Sequence, residues 1–366
     1  EGCEKGRARR KPIPPAAVPG LFTQNLVHAA CVDYTRKVVQ GTGTTRAILV
    51  NSGNANCCTG VQGERDTARS AELAADVLGL DSGQVAVAST GVIGHLLDMS
   101  KLEKGLRAAA GNLGSDARGF SEAILTTDLV EKTASAQIGG GLVFGCAKGS
   151  GMIAPNMATM LAFVVTDLVV EAGRLQSALQ QAAEKSFNCL TVDGDTSTND
   201  MVLVMANGAS GVTPVPEELQ QALDEVCTSL AKQVARDGEG ATKLVEVRVT
   251  GTSDPKRIAR TIAESPLVKT AMFGCDPNWG RILAAAGRSG VAFEPNQARL
   301  TIRASGEDII LFEEGTPAAF DAKRVSANLK ADAVVIDLEL GEGESATVYT
   351  CDFGYGYVRI NAEYHT

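Results

Sequence analysis

Lys148-Gly149-Ser150-Gly151-Met152-Ile153-Ala154-Pro155-Asn156-Met157-Ala158-Thr159-Met160-Leu161-Ala162-Phe163 opens as a turn and runs, with no linker, into an apolar segment. Glycines at 149 and 151 and a proline at 155 exclude a continuous helix or strand at its start. Residues 160–165 form a short apolar run, read as a buried strand or the start of a buried helix. A small alanine and then a threonine stand at the junction. In an arbitrary chain such a threonine is a core residue whose hydroxyl caps the next element. The alternative is chemical: Thr159 attacks the peptide bond behind it and becomes the N-terminus of a second chain. A threonine hydroxyl is a weak nucleophile unless a base lies within hydrogen-bond reach. A freed α-amine, with an ordinary pKa of about 7.7–8.0, is such a base and needs no histidine.

Outward from this stretch, strand and helix alternate. Residues 46–50 predict a strand followed by the polar turn 51–56, and 84–88 a second strand ending in Ser89-Thr90-Gly91-Val92-Ile93-Gly94. Between them, Ala71, Ala74, Ala75 and Leu78 recur at helical spacing over 66–80. A further helix is expected over 101–110 and a strand over 142–147. Beyond Thr159 the periodicity predicts helices over 171–187 and 216–234, the latter with Pro216 suited to its first turn. Residues 244–250 alternate Val245, Val247 and Val249 with Glu246 and Arg248, which is a strand with one buried face. The last third is strand-rich, at 299–303, 309–312, 334–340 and 347–351. The class is α/β, layered sheets with covering helices. Because nothing at 158/159 reads as a linker, residues 1–158 and 159–366 are expected to interweave into one unit.

The 366 residues can bury a large core, and a net charge of −9 argues against nucleic acid or an anionic membrane surface as partner. Nine cysteines, an odd and scattered set, fit a reducing compartment rather than a disulfide scaffold, and Cys57-Cys58 reads as a pair of small buried residues. The three histidines (His28, His95, His365) lack metal-ligand spacing, so neither zinc chemistry nor a Ser-His-Asp relay is expected. No apolar run reaches the length of a membrane span. Residues 1–19 are polar, basic and proline-rich, without a secretory apolar core, and read as a disordered lead-in.

Several turns carry groups able to do chemistry. Ser89-Thr90-Gly91 offers a hydroxyl and an unobstructed backbone N–H on the same side, a pair suited to an oxyanion; alone, it is more often an ordinary turn. In Asp237-Gly238-Glu239-Gly240-Ala241-Thr242-Lys243 the phosphate-loop spacing is missing, which excludes nucleotide binding there. Two glycines flank Glu239 and would hold its carboxylate out to meet a cationic amine, unless the turn is simply exposed. Asp193-Gly194-Asp195 lacks the twelfth-position glutamate of a calcium loop, and no metal is expected.

Taken together, 148–163, Ser89–Gly94 letter for letter, 51–60, 186–200, 273–282 and the tail 357–366 resemble the ornithine acetyltransferase family, the bifunctional glutamate N-acetyltransferases of arginine biosynthesis. The likeness runs in register from about Gly20 to Thr366; where the family has a leading apolar strand, this chain has residues 7–17 instead. The resemblance implies a fold shared with self-processing aminopeptidases and a cut between Ala158 and Thr159. An α chain (1–158) and a β chain (159–366) would then assemble as an α2β2 heterotetramer. It further implies that Thr159 takes acetyl from N2-acetyl-L-ornithine and passes it to L-glutamate. Thr90 and Gly91 would hold the oxyanion, while Thr126, Lys148, Glu239, Asn361 and Thr366 contact substrate, with Thr127 the alternative to Thr126. Glu239 would also shuttle the amine proton. No cofactor is implied. Acetyl-CoA is a second donor in some members, and no residue here decides whether it is one for this chain. Bacterial members are cytosolic and eukaryotic relatives sit in the plastid or mitochondrial matrix. An amidohydrolase or aminopeptidase of the same fold, or a non-catalytic binding protein retaining it, are the competing expectations.

Overall fold

The computed structural model describes residues 15–154 and 160–363. The expectations on Ala158, Thr159, Thr366 and most of the N-terminal lead-in fall outside the described residues.

In chain order come strands β1 (Ala16–Ala17) and β2 (Gly20–Phe22), helix α1 (Ala30–Thr42), β3 (Thr44–Thr45), β4 (Ala47–Asn54), α2 (Gly60–Leu78) and β5 (Val85–Val92). Helices α3 (Met99–Gly111) and α4 (Arg118–Ala123) lead to the hairpin of β6 (Lys132–Ile138) and β7 (Gly141–Lys148). Next are β8 (Leu161–Thr166), α5 (Ala172–Lys185), β9 (Met201–Ala206), α6 (Pro216–Arg236) and β10 (Leu244–Thr250). The last third holds α7 (Pro255–Ala263), α8 (Pro266–Phe273), α9 (Trp279–Gly287), β11 (Arg299–Ala304), β12 (Glu307–Glu313) and β13 (Thr316–Pro317). It closes with α10 (Ala322–Asn328), β14 (Ala333–Glu339), β15 (Ser345–Cys351) and α11 (Tyr355–Glu363).

Side-chain alternation explains the layering. On β8, Ala162 and Val164 join a core with Leu175 and Leu179 of α5 and Leu223, Val226 and Leu230 of α6. Leu161 and Phe163, one step out of phase, face the opposite way and pack with Ala86 and Ala88 of β5. The other face of β5, Val85 and Val87, meets Val32 of α1 and Ala71, Ala74 and Ala75 of α2. Helices therefore cover both outer faces of two stacked sheets. One sheet, in the order β3-β1-β9-β8-β7-β6 with β2 also on β9, draws strands from both sides of position 158; the other is the parallel pair β4–β5. A second sheet system, β13-β12-β11-β14-β10-β15, carries α7, α8 and α9 on its own core, with Ile258, Ile262, Val268 and Ile282 packed on Val247, Ile302 and Ile336.

The expected α/β layering is present, with particular departures. Strands β4 and β5 extend through the expected turns at 51–54 and 89–92, because parallel pairing continues past Gly53 opposite Gly91 to Asn54 opposite Val92. Within the expected lead-in 1–19, residues 16–17 form a strand, with Ala16 and Val18 buried, and β2 just beyond it pairs with β9 from Gly20 opposite Leu203. Cys57 is buried as expected, but Cys58, in left-handed backbone (φ 58°) just before α2, is exposed. No helix among the described residues is long and apolar enough to cross a membrane.

Candidate active site

Four strand ends converge on one cavity: the C-terminal ends of β5 and β7 and the N-terminal ends of β8 and β9. Among its lining residues are Thr90, Gly91, Thr126, Thr127, Lys148, Met160, Asn199, Asp200, Glu239 and Asn361. Every described residue expected in the site is in that wall. Ala158, Thr159 and Thr366 are outside the described residues, although Met160, bonded to Thr159, lines the cavity.

Gly91 could be no other residue. Its φ is 129°, and a Cβ there would lie 2.3 Å from the Gly53 carbonyl carbon and 2.5 Å from the Asn54 nitrogen. The corner is braced from both neighbours. Ser89 Oγ donates to Asn51 Oδ1 at 2.7 Å, and Asn199 Nδ2 donates to the carbonyls of Ser89 (2.8 Å) and Ala55 (2.7 Å).

Lys148, at the end of β7, is buried, and its ammonium donates to Thr126 Oγ1 at 2.7 Å. Asp128 Oδ2 lies 3.7 Å from the same Nζ. Burial pushes the Lys148 ammonium below its ordinary value; Asp128 opposes this, while Lys132 adds to it. Of the two adjacent threonines, Thr126 contacts Lys148, and Thr127 Oγ1 shares a 2.7 Å hydrogen bond with Ser150 Oγ.

Glu239 rides on a loop tied at three places. Its own N–H donates to the Ser150 carbonyl at 2.9 Å. Upstream, Asp237 Oδ2 receives Lys132 Nζ at 2.6 Å. Downstream, Asp352 accepts the N–H groups of Thr242 (2.7 Å) and Lys243 (3.1 Å). Gly151 lets the carboxylate come close, since a Cβ at 151 would sit 2.5 Å from Glu239 Oε2. Asn361 of α11 completes this side, its Nδ2 2.8 Å from Glu239 Oε2.

Three further groups shape the site, and of these only Asp193 stood out in the sequence. Asp193 Oδ2 and Oδ1 accept the N–H groups of Met152 (2.6 Å) and Ile153 (2.8 Å), so the would-be calcium loop is a brace for the turn after Gly151. Asp128 pairs Lys148 with Lys132. Asp200, 1% exposed, keeps its Oδ2 without a hydrogen-bond partner in the cavity wall. Burial pushes this carboxyl well above its ordinary value, against Ser197, the Lys148 charge and Thr23. In the sequence it closes the stretch 186–200, directly before the apolar run 201–206. Among the described residues, no group of three or more His, Cys, Asp or Glu is placed to hold a metal ion.

The model of the ArgJ family matches residues 11–366. The arginine biosynthesis bifunctional protein ArgJ of Symbiobacterium thermophilum is 49% identical over 370 residues, covering 96% of this chain and 90% of the relative. The glutamate N-acetyltransferase of Methanosarcina mazei is 46% identical over 364 residues, covering 96% and 92%. Among solved structures, the arginine biosynthesis bifunctional protein argJ from Bacillus halodurans matches with 44% identity and a TM-score of 0.52, covering 55% of this chain and 98% of its own.

Proposed function

The chain belongs to the ArgJ family, and from that premise we propose that it is a glutamate N-acetyltransferase of arginine biosynthesis, moving acetyl from N2-acetyl-L-ornithine to L-glutamate. One observation carries the reading: Thr90, Gly91, Thr126, Lys148, Glu239 and Asn361, from five separate segments, line one cavity beside the start of β8.

The nucleophile is Thr159. In the precursor, its Oγ attacks the Ala158 carbonyl; the C–N bond breaks as an ester forms and the nitrogen takes the proton. Water then cleaves the ester, leaving a carboxylate on Ala158 and a free amine on Thr159. A β chain of 159–366 makes up a little over half of the 366 residues, a share close to the 55% spanned by the Bacillus halodurans crystal chain. We place the two chains in an α2β2 assembly.

In turnover, the α-amine takes the Oγ proton as Oγ attacks the acetyl carbonyl. Thr90 Oγ1 and the Gly91 N–H face the developing oxyanion, a contribution whose loss typically costs about 3–4 kcal/mol. Lys148 and Thr126 receive the substrate carboxylate. Glu239, steadied by Asn361, hands a proton to the departing ornithine amine and later takes one from the glutamate amine that attacks the acetyl-enzyme. The second half reverses the first, which makes the kinetics ping-pong. No cofactor takes part.

Intact-mass spectrometry tests the reading. Two chains that join at Ala158/Thr159 are expected, with an acetyl adduct on the 159–366 chain after acetylornithine is added. Thr159→Ala is expected to remain one inactive polypeptide; two fragments from it would overturn the proposal. Consumption of acetylornithine only when glutamate is present separates the transferase from a hydrolase. Acetyl-CoA in place of acetylornithine asks, in the same assay, about the second donor.

A further inference from the structure

Behind the cavity wall lies a chain of four alternating charges. Asp128, its side chain fully buried, accepts at Oδ1 from Lys132 Nζ (2.8 Å) and from the Gly149 N–H (2.6 Å). Its Oδ2 accepts the Thr126 N–H at 3.1 Å and faces Lys148 Nζ at 3.7 Å. Lys132, fully buried as well, donates onward to Asp237 Oδ2 at 2.6 Å and to the Val130 carbonyl at 3.0 Å. Asp237 Oδ2 also accepts the Leu129 N–H at 3.0 Å. The series Lys148, Asp128, Lys132, Asp237 is neutral as a whole. One end emerges in the cavity at Lys148, and the other stands two residues before Glu239.

Packing alone does not call for such a series. Buried ion pairs are often no more stabilising than apolar side chains of equal volume, because desolvation offsets their attraction. What this one does is specific: it supplies a counter-charge to a lysine that is buried yet faces the cavity. The Gly149 N–H and the Thr126 N–H on the same carboxylate fix the backbone on either side of the Lys148–Thr126 hydrogen bond. We propose that Asp128 is a positioning residue that keeps Lys148 charged and aimed beside Thr126, and that Lys132 and Asp237 hold Asp128 in place. This rests on the reading of Lys148 as the group that receives the substrate carboxylate.

The groups facing Lys148 are Asp128, Lys132, Asp200 and Glu239. Burial lowers its affinity for a proton, Asp128 is the largest influence restoring it, and Lys132 is the next in weight and opposes it. With Asp128 neutral, Lys148 loses its proton at lower pH, and a neutral amine holds a carboxylate poorly. A nearby opposite charge typically moves such a group by about 1–3 pH units.

The test is the pH profile of the processed enzyme carrying Asp128→Asn. Its kcat/KM for acetylornithine and for glutamate is expected to fall on the alkaline side at least about one pH unit earlier than in the parent. Near that limb KM is expected to rise about tenfold, with kcat at saturation within about threefold. Asp128→Glu, which restores the charge, is expected to return the limb towards the parent position. Should Asp128→Asn not fold, the double variant Asp128→Asn/Lys132→Gln is read in its place; its limb also moves to lower pH, since Asp128 outweighs Lys132 at Lys148. A limb that stays put while only stability falls overturns the proposal. Lys148→Met separates the premise: an unchanged KM there overturns the carboxylate-binding reading itself, whatever Asp128→Asn does.

Discussion

Asn361 Nδ2 donates to Glu239 Oε2 at 2.8 Å, joining α11 to a loop 122 positions earlier. None of the α11 side chains is buried, so the helix gains little from apolar packing. Its backbone is nonetheless set close: a Cβ on Gly240 would lie 2.3 Å from the Tyr357 nitrogen. The tail thus reaches the cavity through polar and glycine contacts, anchored by the rings of Tyr355 on Phe273 and Tyr357 on Phe353, and neither ring contact involves Asn361.

Asn361→Ala should therefore affect activity and spare stability. Loss of a hydrogen bond to a charged group costs about 1.5–3 kcal/mol where the site is formed, so kcat/KM for acetylornithine is expected to fall roughly tenfold or more. The melting midpoint should stay within about 2 °C of the parent. Differential scanning calorimetry beside steady-state kinetics checks both; a large drop in midpoint with normal kinetics would contradict this account of the tail.

Gly91→Ala places a methyl group on the Gly53 backbone. The backbone must move, and the Gly91 N–H proposed to hold the oxyanion moves with it. Acetylation in a single turnover is expected to slow by about 10²–10³-fold, with ornithine binding by calorimetry changed far less. An unaltered acetylation rate would remove Gly91 from the oxyanion site.

Asp200 gives a pH signature in stability. Its carboxyl holds a proton more tightly in the native state than in the unfolded chain, where the ordinary value of 3.8 applies. Stability from this residue is fully present below that value and is withdrawn as pH rises towards the native one, because the native state must then bury a charge. Asp200→Asn lacks the ionisation, so denaturation midpoints of parent and variant should diverge as pH rises above about 4, the variant gaining. Parallel curves would mean that Asp200 ionises as freely in the native protein as in the unfolded one.

Elements with strong periodicity were readable from the chain alone. The stripe Leu219, Leu223, Val226, Leu230 and Val234 predicts α6 to within two residues of its end at Arg236. The alternation in 244–250 coincides with β10. Helices α7 and α8 went unread although Asp254-Pro255 and Ser265-Pro266 mark their starts, and both cap residues accept an N–H from the first turn. Strand β6 escaped because its exposed face is polar and its first residue, Lys132, is a buried charge.

In the site, local chemistry was legible and pairing was not. Gly91 stands out as a glycine in a turn, but its need for Gly53 as a neighbour comes only from the parallel register of β4 and β5. Likewise Lys132 and Asp237 are 105 positions apart, and nothing local announces that they meet. Asp200 closes the stretch 186–200, but nothing local shows that its carboxyl is buried; that follows only from the burial of the strand behind it.

Strand β8 lies between β7 and β9, with Leu161 paired to Lys148 on one side and to Met201 on the other. A backbone broken anywhere between 148 and 161 would leave both severed ends stitched into a single ladder. The fragments would travel as one particle through dilution and chromatography and part only when denaturant melts the sheet. Neither half could be exchanged for a copy from another molecule once folding had finished, so each half would stay with the one cut from the same original translation product.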